Sequence, residues 1–262
     1  MAKELKQGLE SLYAVYNKQE YIDPDPLLFL HNYPEKKDRE IAGLIAACFA
    51  YGQVAQIMKT VGTVLDRLAP SPFAYLAQRT EKEIAGDFRG FKYRFAKDHH
   101  ITGLLRGIQR TVNRFSSLEN CFASPLDRKN SSVQQGLATL FDEISPNREC
   151  GHLMADPRGT SACKRSHLFL RWMVRKDRVD PGGWQRISPS QLIVPLDTHM
   201  YKTGILLGFT ARKSRDMKTA LEITRGFQTI TPADPVKYDF CLTRFGIRQG
   251  LTMEKLKQVL LN

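Results

Sequence analysis

Apolar residues recur at helical spacing along most of this chain. Near the start, Leu5, Leu9, Leu12, Tyr13 and Tyr16 fall on one face of a single helix. The same period predicts further helices over residues 101–122, 133–144, 164–176, 214–230, 235–246 and 252–261, and a short one after Pro195. We therefore expect these segments to pack their apolar faces into a common helical core.

The run from residue 38 to residue 68 is long enough for two helices. Asp38 stands where an N-cap is expected, and Tyr51-Gly52 marks the break between the two helices. The first part of the run is apolar nearly all round and rich in alanine and glycine. Such a helix is expected to be buried and to pack closely against its neighbours.

Strand signals are weak throughout the chain. The apolar residues 192–194 are too short a run to decide between strand and loop, and no pair of strands with a hairpin turn stands out. Residues 145–163 are predicted to be irregular, and residues 70–90 to hold short helical pieces. The pattern predicts an all-α fold.

Composition points to an acidic partner. The chain has 262 residues, 42% of them apolar, and a formal net charge of +12. A real core is expected, and the excess of cations favours nucleic acid through counterion release. The five cysteines are irregularly spaced and the charged, amphipathic start is unlike a signal peptide, so we expect a cytoplasmic protein with reduced thiols. No apolar run is long enough to span a membrane.

Candidate chemistry concentrates between residues 157 and 199. Residues 158–186 contain eight Lys or Arg but only two acids. Lys164 stands where a helix begins, and Arg165 and the helix end would both favour its neutral, nucleophilic form. An ordinary surface lysine is the simpler interpretation. Asp197 follows an apolar run and is expected to cap the next helix, which does not exclude a second role as a base or as an electrostatic partner.

Two other groups of residues allow more than one interpretation. Cys150, His152, Cys163 and His167 have the side chains that zinc prefers, but the first pair is unusually tight, so we expect free core thiols and no metal. In residues 91–95, aromatic and basic side chains alternate. This alternation fits either base stacking with phosphate contacts or a half-buried segment with a solvated basic side.

The motifs together resemble a bacterial family of conserved hypothetical proteins. The shared motifs are LYxxYN at 12–17, PDPLxFL at 24–30, SACKR at 161–165, VDPGGW at 179–184 and PLDTH at 195–199. They cover nearly the whole chain.

A more remote resemblance gives these motifs a chemical meaning. The segment 44–61 is similar to the opening helix pair of helix-hairpin-helix DNA glycosylases, and SACK followed by PLDTH is similar to the lysine and aspartate of their bifunctional members, the archaeal 8-oxoguanine branch above all. This resemblance implies a DNA repair glycosylase with lyase activity on an oxidised purine. Lys164 would be the nucleophile and Asp197 its assistant. The substrate base would be flipped out of the duplex.

The same resemblance implies an architecture and a set of contacts. We expect two helical lobes, residues 38–178 ending in the hairpin helix and residues 1–37 plus 179–262, with a cleft between them. The expected substrate contacts are Gln53, Trp184, Asp239 and His199. The expected DNA-backbone contacts are Lys92, Arg94, Arg158 and Arg165. The partner would be duplex DNA or RNA, the protein a monomer, and no cofactor is expected.

The chain departs from the glycosylase pattern in its hairpin. Thr160 and Ala162 stand where two glycines usually flank a small apolar residue, and Gly159 is displaced. Such glycines let backbone amides approach a DNA phosphate. Phosphate binding by this hairpin is therefore in question, and a nucleic-acid-binding module that lacks catalysis is the alternative.

Overall fold

The computed structural model describes residues 2–126 and 132–261, and it confirms the all-α class. The α-helices are α1 (Ala2–Tyr16), α2 (Lys36–Cys48), α3 (Val54–Arg67), α4 (Pro72–Gln78), α5 (Glu81–Asp87), α6 (Asp98–Phe115), α7 (Leu118–Ala123), α8 (Val133–Ile144), α9 (Lys164–Val174), α10 (Thr198–Leu206), α11 (Met217–Ile230), α12 (Asp239–Ile247) and α13 (Met253–Leu261). Short 3-10 helices cover Gln19–Tyr21, Pro26–Asn32, Gly151–Leu153 and Pro189–Gln191.

Helix α2 lies in the middle of the core, as its composition predicts. Every residue from Glu40 to Cys48 is buried, and α9 and the 3-10 helix Pro26–Asn32 pack against it. Gly43 permits this close approach, since a Cβ there would lie 3.1 Å from Leu30 Cδ2 and 3.4 Å from Phe169 Cε2. The small residues of α2 therefore place α9, which carries Lys164, directly on the core.

Several helix ends differ from prediction by two to four residues, and two differences have a clear structural reason. Asp38 does not cap α2, which begins at Lys36; its Oδ1 instead accepts hydrogen bonds from Ser71 Oγ (2.6 Å) and Phe73 N (2.8 Å) at the start of α4. The predicted single helix over residues 101–122 is two helices. Ser116, with a left-handed φ of 68°, ends α6, and the Ser117 side chain caps α7.

The basic–aromatic segment folds into a minimal hairpin that the apolar pattern does not predict. Strands β1 (Lys92–Tyr93) and β2 (Ala96–Lys97) pair antiparallel, with Lys92 opposite Lys97. Residues 192–194 form no strand, and the Val194 amide donates to Thr224 Oγ1. None of the helices in residues 2–126 and 132–261 is both long and apolar enough to cross a membrane.

A buried ion network fixes the chain beyond α9. Asp180 is fully buried between the guanidinium groups of Arg171 and Arg175, and Arg175 also pairs with Asp234 at 2.9 Å. Asp177 accepts a hydrogen bond from Tyr13 Oη of α1 at 2.8 Å. The network therefore ties the C-terminal end of α9 to α1 and to the segment that leads into α12. Charges that are buried in this way require partners of the opposite sign.

Candidate functional site

Lys164 is the first residue of α9, as the sequence predicts. Cys163 precedes it in a left-handed conformation, with φ of 44°, and its side chain makes no capping hydrogen bond. Lys164 is half-buried and lies in the wall between two pockets. Within the described part of the chain, its ammonium group has no hydrogen-bond or ion-pair partner. A cation without an internal partner is available to a ligand.

Asp197 caps α10, as predicted. Its Oδ1 accepts hydrogen bonds from the amides of His199 and Met200, both at 2.8 Å. Its Oδ2 has no hydrogen-bond partner in residues 2–126 and 132–261, and the carboxylate is only half-buried. The cap therefore fixes the orientation of the side chain while leaving one oxygen free.

Lys164 and Asp197 line the same pocket, which has a volume of about 410 Å³. Its walls come from residues 24–26, from the connection between α2 and α3, from α9, from residues 195–199 and from α12. A second pocket of about 200 Å³ is also lined by Lys164 and shares Ala50 and Tyr51 with the first. The larger volume falls within the range of roughly 300–1,000 Å³ typical of small-ligand sites.

Asp239 brings a second carboxyl group to this pocket. It is buried and paired with Arg171, but its Oδ1 is without a hydrogen-bond partner among the described residues. Desolvation raises the pKa of Asp239 to about 6; Arg171 opposes the shift, and the nearby carboxylates of Asp197 and Asp180 add to it. Asp239 can therefore carry a proton near neutral pH.

Two arginines that line the pocket are already neutralised. Arg171 pairs with Asp239 and Asp180, and Arg244 donates to Asp25 Oδ2 at 2.9 Å and lies over the Phe240 ring at 4.2 Å. Arg171 lies seven residues after Lys164, on the same face of α9. That spacing is a sequence signal for its place in the pocket. Lys164 is the pocket cation whose charge the described residues leave unpaired.

Of the four predicted substrate contacts, two line the pocket, one lies at its rim and one lies elsewhere. His199 lines the pocket together with Asp239, and its ring packs on α12 so closely that a Cβ at Gly246 would lie 1.6 Å from its Nδ1. Gln53 is exposed at the rim, between two residues that line the pocket. Trp184 does not line it. Its side chain is buried against Phe122 and Phe169, and Nε1 donates to Glu40 Oε2 at 3.0 Å.

Of the four cations predicted to contact the DNA backbone, two are engaged by other residues of the protein and two are exposed. Arg165 donates to the carbonyl of Cys48 at 2.5 Å and to the carbonyl of His152, so its guanidinium is used inside the fold. Arg158 is paired with both Asp142 and Asp156. Lys92 and Arg94 are exposed on the small hairpin. Two of the four positions are therefore free to meet a phosphate.

Phe95, at the turn of the β1–β2 hairpin, is the most exposed of the large apolar side chains in the described residues, at 73%. Arg94 lies over its ring at 5.8 Å, and a Cβ at Gly52, which lines the pocket, would lie 2.9 Å from Arg94 Nη1. The hairpin turn thus stands beside the pocket. Of the three alternating aromatic residues, Tyr93 is buried and Phe91 is half-buried, so the alternation alone does not single out Phe95.

The four zinc-type side chains are used separately. His152 Nε2 is hydrogen-bonded to Tyr51 Oη at 2.8 Å, and the thiols of Cys150 and Cys163 each lie 3.9 Å from a backbone carbonyl. The described residues contain no group of three or more His, Cys, Asp or Glu side chains placed to hold a metal ion. All five thiols are free and buried.

His167 makes the fold sensitive to acid. It is fully buried on α9 with no partner for either ring nitrogen, and burial lowers its pKa to about 4. As the pH falls below about 6.5, the unfolded chain takes up this proton first. His167 should therefore reduce the free energy of unfolding by about 3 kcal/mol between pH 7 and pH 4, at 1.36 kcal/mol per pKa unit.

The His167→Leu variant should lose this part of the pH dependence. Urea titrations at pH 7 and pH 4.5 measure it, with His99→Gln as the control because the His99 side chain is 64% exposed. An unchanged difference between the two pH values in His167→Leu would show that His167 is not buried as a neutral ring.

Comparison with known proteins gives the family. Residues 25–248 match the model of a family described as a protein of unknown function (DUF2400), and the chain therefore belongs to that family. No curated protein and no solved structure matches the chain. The expected membership of a family of hypothetical proteins is confirmed, and the resemblance to DNA glycosylases stays a prediction.

Proposed function

We propose that this member of the DUF2400 family is a DNA glycosylase with lyase activity, acting on an oxidised purine such as 8-oxoguanine. In this proposal the lobes 38–178 and 1–37 plus 179–262 enclose the substrate cleft. One observation supports it above all others: Lys164, whose ammonium has no partner among the described residues, and Asp197, which keeps one carboxylate oxygen free, line the same pocket. A nucleophile next to a carboxylate that can accept its proton is the arrangement that covalent amine catalysis requires.

The proposed reaction begins at C1′ of a nucleotide flipped into the pocket. Asp197 takes a proton from Lys164, and the free Nζ bonds to C1′ while the bond from C1′ to the base breaks. The base leaves with the bonding electrons and takes up a proton. Asp197 passes the proton from Lys164 to water before the attack, so its carboxylate is ionised again and stabilises the positive charge that develops on the sugar.

The lyase step follows from the same covalent bond. Cleavage of the C1′–O4′ bond, with a proton added to O4′, leaves a protonated imine between Lys164 and the opened sugar. The Asp239 carboxylate, ionised once it has protonated the departing base, then takes a proton from C2′, which expels the 3′ phosphate and nicks the strand. Asp239, whose raised pKa lets it hold a proton near neutral pH, is the group we assign to proton transfer with the departing base.

The β1–β2 hairpin supports a nucleic-acid substrate. Phe95 presents an exposed ring next to the pocket, with Lys92, Arg94 and Lys97 on the same hairpin. Aromatic rings stack on bases while neighbouring cations meet phosphates, and each stacked base contributes about 1–3 kcal/mol. We assign the stacking role to Phe95, since Trp184, the aromatic residue among the predicted substrate contacts, is enclosed by the core.

Borohydride trapping tests the proposal. The purified protein is mixed with labelled duplexes that contain 8-oxoguanine, uracil, an abasic site or no damage, and borohydride reduces any imine to a stable adduct. A covalent adduct with the 8-oxoguanine duplex and none with undamaged DNA is expected. Binding without any adduct would contradict the activity and favour the non-catalytic module; the same panel made in RNA then separates the two nucleic acids.

A further inference from the structure

We infer that residues 211–218 form a second basic contact surface, which holds the phosphate backbone of a nucleic-acid strand beside the Lys164 pocket. The choice of partner rests on the proposed function, whereas the surface itself rests on independent contacts. Its sequence, ARKSRDMK, runs from the connection after α10 into the first turn of α11 and has four cations and one acid. The glycosylase resemblance assigns none of these residues to DNA.

Backbone contacts place this segment against the segment that leads to Lys164. Ser161 and Asp216 form an isolated antiparallel bridge, and the amide of Met217 donates to the carbonyl of Thr160 at 3.1 Å. Ser161 lines the smaller pocket together with Lys164. The cations at 212–218 therefore lie next to residues 159–163, the segment before α9 that lacks the glycines of the glycosylase pattern.

Arg215 extends the surface to the rim of the larger pocket. Its Nη1 donates to Thr198 Oγ1 at 2.7 Å, in the first turn of α10. Thr198 lies between Asp197 and His199, both of which line that pocket. Arg215 thus bridges the segment before α9 and the start of α10. The remaining donors of its exposed guanidinium can meet a phosphate next to the reacting nucleotide.

Most of the charge on this surface is available to a ligand. Asp216 is the acid of the segment, and it is occupied by Arg212 at 2.8 Å and by the amide of Thr219 at 3.0 Å. Lys213 and Lys218 are exposed and have no partner in the described parts of the chain. This contrasts with Arg158, which is exposed but paired with two carboxylates, and with Arg165, whose guanidinium donates to backbone carbonyls of the fold.

A nucleic acid fits this surface better than a membrane does. Met217 is the large apolar side chain of the segment and it is buried. Binding to a lipid surface by a short basic segment normally needs apolar side chains beside the charge. Phosphate groups spaced along a strand need only cations, and each contact adds to the salt dependence of binding.

The test replaces three cations at once, in Lys213→Gln/Arg215→Gln/Lys218→Gln. Binding to the 8-oxoguanine duplex, measured at several salt concentrations, should weaken by at least about tenfold at 0.15 M salt. The slope of log K against log salt should fall in magnitude by roughly 3, about one for each lost phosphate contact. The control, Lys3→Gln/Lys6→Gln/Lys257→Gln, removes the same charge from α1 and α13 and should keep the wild-type slope.

The outcomes separate this inference from the proposed activity. A triple variant that folds and binds like wild type overturns the inference, and trapping by wild type then leaves the activity standing. Loss of binding in the triple variant, with no adduct from wild type, supports the surface and contradicts the activity. Absence of duplex binding by the wild-type protein overturns the inference. It is also overturned if the triple variant loses binding to anionic vesicles while its binding to the duplex is unchanged.

Discussion

Replacing Lys164 by glutamine should abolish borohydride trapping and reduce strand nicking by at least about 10³-fold, while binding to the damaged duplex is kept. Glutamine retains much of the length of lysine but has no amine that can attack C1′. Loss of a catalytic nucleophile typically reduces rates by this order or more. Binding should persist, since Lys164 is half-buried in the pocket wall and the exposed cations lie elsewhere.

The matched control is Lys176→Gln, an exposed lysine two residues beyond the other end of α9. It removes the same charge from the same stretch of chain without touching either pocket, so trapping should match wild type. If Lys164→Gln forms the adduct and nicks damaged duplex as well as wild type does, Lys164 is not the nucleophile. Equal losses in both variants would point to net charge rather than to an amine in the pocket.

The sequence predicts the helices best where the cause is local. The apolar period of residues 3–16 and the nearly all-round apolar character of α2 depend only on neighbouring residues, and both predictions are confirmed. The break at Ser116 and Ser117 is missed because serine is tolerated in helices as well as at caps. Asp38 is misassigned because its carboxylate serves α4, more than thirty residues later, and not its own helix.

The same difference between local signals and contacts distant in sequence applies to the candidate site. Lys164 and Asp197 each sit at a helix start that local signals predict, and both line one pocket. Arg165 donates to the carbonyl of Cys48, which lies 117 residues away and which only the fold brings near, whereas Arg158 pairs with Asp156, two residues away, as well as with Asp142. Trp184 lies in a loop, but its side chain is buried and its Nε1 donates a hydrogen bond to Glu40, which lies 144 residues away in the chain. Partners at such separations leave no periodic signal.

Gly107→Ala is expected to be strongly destabilising although it adds only one methyl group. Helix α6 crosses α8 so closely that a Cβ at Gly107 would lie 1.9 Å from the carbonyl oxygen of Ile144. That atom is main chain at the C-terminal end of α8, and it cannot rotate away as a side chain can. The free energy of unfolding should fall by about 3 kcal/mol, the upper part of the usual range for overpacking.

Gly86→Ala is the matched control for this prediction. Gly86 lies in α5, and a Cβ there meets nothing within 4 Å, so alanine should leave stability unchanged or raise it by up to about 1 kcal/mol through helix propensity. Urea unfolding of both variants measures the difference. If Gly107→Ala is as stable as Gly86→Ala, α6 and α8 do not cross as described.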